Sequence, residues 1–178
     1  MRLRSVIGLV SLAAAVAQTA SCGDVVRTGR APVVLSVTGL KPSLVTSSVT
    51  SLSDDQVVAT LAVTMKDVSL TTPATPTTNN NVTITEYQVV YRRTDGRSTQ
   101  GTDVPFAFSG AATLQIVPNA SGDLTFELVR QVAKQEGPLA QITDSNVVTM
   151  IADVTFFGRD QVGNELSATG SMTINFRK

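Results

Sequence analysis

The sequence predicts an all-β fold, an antiparallel sandwich of seven to nine short strands. Three observations point there. Val (25) and Thr (24), both strand formers, make up more than a quarter of the 178 residues. Apolar and polar residues alternate with period two in several stretches. No stretch sustains a helical period, and Gly, Pro, Asn and Asp separate the strand-like runs.

The N-terminus reads as an address. Arg2 and Arg4 precede an apolar run from Val6 to Ala17, the basic and hydrophobic regions of a secretory signal. A membrane span needs about 20 apolar residues, so the run is too short. Gln18-Thr19-Ala20-Ser21-Cys22 follows. Ala20, Ser21 and Cys22 resemble the bacterial lipobox, with Thr19 where an aliphatic residue is usual. The resemblance implies residues 1–21 as a lipoprotein-type signal peptide and Cys22 as the lipid attachment site, carrying a thioether-linked diacylglycerol and an amide-linked acyl chain. Several acyl chains on one residue give a permanent membrane anchor. Gly23 is not the Asp that signals inner-membrane retention in some envelopes, which implies the outer membrane. Ala15-Val16-Ala17 offers a competing A-x-A cut, leaving Gln18 first and Cys22 as a free thiol. A lone exposed thiol is a liability in an oxidising compartment, which favours the lipidated form.

Residues 22–31 read as a lipidated N-terminus and tether. Residues 32–178 read as the sandwich domain. Its first strand is 33–40, closed by Lys41-Pro42. Residues 43–55 read as a loop holding a weak strand, with Asp54-Asp55 as its solvated end. Val57, Ala59, Leu61, Val63 and Met65 alternate on one face of the strand 56–66. Residues 67–81 form a polar loop rich in Thr, Asn and Pro. The strand 82–93 carries Ile84, Tyr87, Val89 and Tyr91, and the three-residue step from Ile84 to Tyr87 predicts a bulge. Asp95-Gly96 predicts a tight turn. Val104, Phe106 and Phe108 are expected on one face of an edge strand at 103–108, and 112–117 is a further short strand. Leu124, Phe126 and Leu128 alternate. Residues 131–141 fit strand, turn or short helix, broken at Gly137-Pro138. The clearest alternations are 147–157 and 166–176.

Ile84-Thr85-Glu86-Tyr87-Gln88-Val89-Val90-Tyr91-Arg92 resembles the third strand of fibronectin type III domains. Phe157-Gly158-Arg159-Asp160-Gln161-Val162-Gly163-Asn164 resembles a turn of bacterial immunoglobulin-like modules. Together they imply an immunoglobulin/fibronectin type III-like antiparallel β-sandwich.

Composition narrows the chemistry. The chain has no His and one Cys. That excludes Ser-His-Asp catalysis, an imidazole metal site and an intrachain disulfide. Charges balance at 14 against 14, and loss of Arg2 and Arg4 with the signal leaves the mature chain slightly acidic. No nucleic-acid partner is expected. Asp160, Asn164 and Glu165 suit a turn better than calcium. Arg92, Arg93 and Arg97 gather beside a hairpin and could grip an anion, though an exposed strand end is the simpler reading. No enzyme activity, cofactor or metal is expected. The leading expectation is a lipid-anchored envelope protein with a non-catalytic domain for adhesion, scaffolding or assembly. Its partners are the membrane, through the lipid, and a protein of the cell envelope. The alternative is a ligand-binding module whose loops 67–81 and 131–146 form one recognition surface.

Overall fold

A computed structural model describes residues 30–66, 75–143 and 146–178. The signal peptide, Cys22 and most of the tether lie outside the described residues. Eight strands occur in chain order: β1 Val33–Lys41, β2 Leu44–Ser48, β3 Asp55–Met65, β4 Val82–Arg93, β5 Phe108–Ile116, β6 Ala120–Val129, β7 Val148–Asp160 and β8 Glu165–Arg177. A short helix, α1 (Gln131–Lys134), follows β6. The strands form two layers, β1-β3-β6 and β2-β8-β7-β4-β5. All pairs are antiparallel except β2 with β8. This is an immunoglobulin-like β-sandwich.

Alternation in the sequence becomes the core. In β3, Val57, Ala59, Leu61 and Val63 are buried, while their neighbours Val58, Thr60 and Ala62 are only half-buried. Met150, Ala152, Val154 and Phe156 of β7 face Met172, Ile174 and Phe176 of β8 on the same buried side. The bulge expected between Ile84 and Tyr87 is present, as a register shift between Ile84 and Glu86 on both sides of β4. It returns Tyr87, Val89 and Tyr91 to the core. Ala31, read from sequence as tether, is buried and belongs to the core.

A second bulge explains the two tyrosines. β3 and β6 slip between Asp55 and Gln56, which skips Leu128 in the ladder. The hydroxyl of Tyr91 donates to the Leu128 carbonyl, and the Glu127 N–H donates to the Tyr87 hydroxyl at 3.3 Å. Both tyrosines come from the opposite sheet, so these bonds tie the two layers together. Tyr91→Phe leaves a buried carbonyl without its donor and should cost about 1–3 kcal/mol. Urea unfolding of the variant checks this.

Two expectations need correction. Residues 103–107 are not a strand. Amide N–H groups of Asp103 and Val104 donate to the Thr99 carbonyl at 2.8 and 3.2 Å, folding the segment into a turn. Val104 is therefore buried while Phe106 is 56% exposed. The strand predicted at 112–117 instead begins at Phe108. The weak strand expected inside 43–55 is present as β2; it adds to the edge of β8 in parallel, unlike the antiparallel pairs elsewhere.

Residues 67–74 and 144–145 lie outside the described residues, and the described ends of loops 67–81 and 131–146 stand at opposite ends of the sandwich. Met65 pairs with Val33, and Val82 pairs with Asp160. Both ends of the first loop therefore lie where the described chain enters. Val129 pairs with Asp55, and Val148 with Phe176. The second loop thus lies at the opposite end, a strand length away. The 13 residues of β7 span about 40 Å at roughly 3.3 Å per residue. We call these the near end and the far end.

Candidate interaction surface at the far end and the β5–β6 seam

The sequence-nominated polar groups resolve first. Asp160 is buried and makes a closed turn. Its Oδ1 accepts the Val162 and Asn164 N–H groups at 3.0 and 2.8 Å, and Oδ2 accepts Asn164 Nδ2 at 2.7 Å. Gly163, at φ +91°, supplies the backbone shape this turn requires. Glu165 pairs with Arg159 at 3.0 Å instead of joining Asp160.

The arginine cluster is matched by carboxylates. Arg92 pairs with Asp153 at 2.8 Å, and Arg93 lies 3.8 Å from Asp95. Arg97 pairs with Asp95 at 2.7 Å and Asp103 at 3.5 Å. Hydrogen bonds from Arg97 hold the Asp95 carboxyl below its ordinary value. Burial pushes Asp153 up, but bonds from Arg92 and Ser171 outweigh it and leave it lowered. Such pairs neutralise the field an anion would need.

Asp54 is exposed, as expected of a solvated loop end, but Asp55 is drawn inward. The Asp54 carboxylate accepts the Gln131 N–H at 2.6 Å, at the start of α1. Asp55 receives the Ser47 hydroxyl and lies 3.1 Å from Lys134 Nζ. Lys134 also donates to the Ser53 carbonyl at 2.8 Å. The Lys134 side chain is 1% exposed. Ser47, Asp55 and Lys134 come from β2, β3 and α1, so this clamp fixes the far-end loops to both sheets. Sequence reading missed it because Lys134 lies 79 positions from Asp55 and farther still from Ser47.

Beside the clamp, the two layers part along a seam. β5 and β6 are the edge strands of their sheets. Between them is a cleft of about 330 Å³, lined by Gln56, Tyr87, Gly110, Thr125, Glu127 and Arg130. The Tyr87 ring lies so close over Gly110 that a side chain there would strike it. A Gly inside a strand is a sequence sign of such an approach, and this one went unread. Burial pushes the Tyr87 hydroxyl above its ordinary value. Tyr87, Phe126 and Phe156 stack edge to face behind it, at 5.2 and 5.3 Å between centroids.

Arg130 governs the mouth. Its guanidinium sits 4.0 Å over the Phe108 ring and donates to the Ser109 carbonyl at 2.6 Å. Around it lies an apolar dip of about 240 Å³, formed by Phe106, Phe108, Val132 and Ala133, with Glu136 at its rim. Phe106 is 56% and Val132 61% exposed. Leu52, two residues from Asp54, is 76% exposed at the same end. Single exposed apolar residues are ordinary, and Val34, Val117 and Val162 are exposed at the near end; the far end differs in gathering Phe106, Phe108 and Val132 around one dip.

No protein-family model matches this sequence, and no curated protein matches it either. Among solved structures the chain aligns with the periplasmic chaperone SfaE, at 10% identity and a TM-score of 0.37, over 78% of this chain and 56% of that one. It thus spans little more than half the length of SfaE. It also aligns with the structural-genomics target SoR45, at 12% identity and a TM-score of 0.32, over 79% of this chain and 81% of that one. These likenesses concern the sandwich fold alone. No helix among the described residues is long and apolar enough to cross a membrane.

Proposed function

We propose that this protein is an exported bacterial lipoprotein, anchored through lipid on Cys22, whose sandwich binds a protein partner in adhesion, scaffolding or assembly at the cell envelope. The outer membrane is its expected site, from Gly23. The observation that carries the reading is where the apolar dip stands. The described chain begins at the near end, with Arg30 and the buried Ala31. Exposed apolar side chains occur at both ends, but the dip of Phe106, Phe108 and Val132 lies at the far end. An anchor before Ala31 would therefore direct this dip away from the lipid.

The role is non-catalytic. The polar groups of the clamp are consumed by one another, and Ser47 is fully buried. A nucleophile needs an activating base and access to substrate, and the chain has no His to serve as that base.

Cys22→Ser tests the anchor. The wild-type protein should sediment with membranes and partition into detergent. The variant should be released to the soluble fraction with its fold unchanged. Unaltered membrane fractionation of Cys22→Ser would sink the reading.

A further inference from the structure

We propose that the open edge of β5 takes up an extended, uncharged segment of a partner protein as an added strand, with one apolar side chain of that segment in the Phe106/Phe108/Val132 dip. This rests on the reading of the domain as a protein-binding module and names where and how it binds.

The edge is unusual among the four that the two sheets present. β1 ends in Lys41, and β6 carries Asp123 and Glu127. β2 has only five residues. β5 has nine, FSGAATLQI, with neither a charge nor a proline. Charges and prolines are what guard exposed edges against pairing. Within the described residues, β4 is the single strand beside β5.

Its hydrogen-bonding groups can be assigned to sides. Residues 108–111 pair regularly with 86–89 of β4, before the slip at Ile84/Glu86. In a regular strand the N–H and C=O of alternate residues point the same way. Two side chains already occupy the open side. The Gln100 side chain accepts the Ala107 N–H at 3.1 Å, and Arg130 donates to the Ser109 carbonyl at 2.6 Å. The Ala111 N–H and C=O therefore face outward as well. Gln100 and Arg130 stand where a strand partner would stand, and an incoming backbone can replace them.

The occupant follows from charge, space and position. The strand itself carries no charge, and the Arg130 it meets is already matched by Glu127 at 3.8 Å, so an uncharged segment suits the edge. The dip of about 240 Å³ exceeds the roughly 150 Å³ that holds benzene, so one aromatic or branched side chain fits. The outward groups of residues 107–111 lie toward the far end, and the described chain enters at the near end. Backbone bonds would give affinity and the dip would give specificity, the usual division in strand addition.

The test uses the full lipidated protein in its own envelope. A benzophenone amino acid replaces the exposed Thr113, and in a control the exposed Thr169 on the outer face of β8. Irradiation from position 113 should yield an adduct that maps to one uncharged, extended segment of another envelope protein. Ala111→Pro removes the outward N–H and leaves the β4 ladder intact, and it should abolish that adduct. Ala111→Lys, which places a charge on the exposed side of the edge, should do the same, and thermal melts should show both variants folded. An adduct that persists in both folded variants, an adduct to a second copy of this chain, or silence at 113 would overturn the proposal. Silence at 113 with a partner captured from 169 would reject the edge and retain the protein-binding reading. Silence at both positions would reject both.

Discussion

Replacing Lys134 with Met should lower the stability of the domain by about 3–5 kcal/mol, the range for breaking one half of a buried ion pair. Lys134 Nζ sits 3.1 Å from the Asp55 carboxylate and 2.8 Å from the Ser53 carbonyl, with its side chain 1% exposed. Met preserves the aliphatic stem and removes the charge. Asp55, whose side chain is 19% exposed, then loses its counter-ion in a nearly dry setting. The ion pair as a whole carries a desolvation cost that offsets much of its attraction. The double variant Asp55→Asn/Lys134→Met should therefore recover part of the loss. Urea midpoints for the three proteins check this. Equal destabilisation in single and double variants would show that the pair acts only through packing.

Phe156→Ala is the second large effect, at about 3–5 kcal/mol. Phe156 is fully buried on β7, a central strand flanked by β4 and β8. Its ring meets Phe126 of the other sheet edge to face at 5.3 Å. Truncation removes apolar contact and opens a cavity that paired strands on both sides cannot close. Phe156→Leu should cost distinctly less, since it retains most of the volume. The comparison is made by chemical unfolding. If Ala and Leu cost the same, the cavity argument fails.

Much of this fold was legible in the sequence because burial on one face of a strand imposes period two. The faces of β3, β7 and β8 were readable residue by residue. The bulge in β4 was readable too, because Ile84 and Tyr87 stand three apart yet both enter the core. Failure came where no periodicity constrains the chain. Val104, Phe106 and Phe108 alternate in sequence, but a turn closed on the Thr99 carbonyl separates their directions. β2 was faint because five residues at a sheet edge bury only two side chains, Val45 and Ser47.

The candidate surface was less legible than the fold. Tyr87 was visible as a core residue, but its bond to the β6 backbone depends on a slip in another sheet. Arg130 gave no local sign that it would sit over Phe108, 22 positions earlier. The Ser47–Asp55–Lys134 clamp unites three segments that register alone brings together. The arginine cluster was a true neighbourhood in sequence; the local Asp95 matches Arg93 and Arg97, and Asp153 arrives from β7 to match Arg92.

The claim that the protein works from a lipid anchor meets its most direct test at the N-terminus. Mass spectrometry of the N-terminal peptide, taken from protein purified out of the envelope, reads both the cleavage point and the modification. The predicted peptide begins at Cys22 and carries a thioether-linked diacylglycerol and an amide-linked acyl chain. A peptide beginning at Gln18, with Cys22 unmodified, would contradict the account.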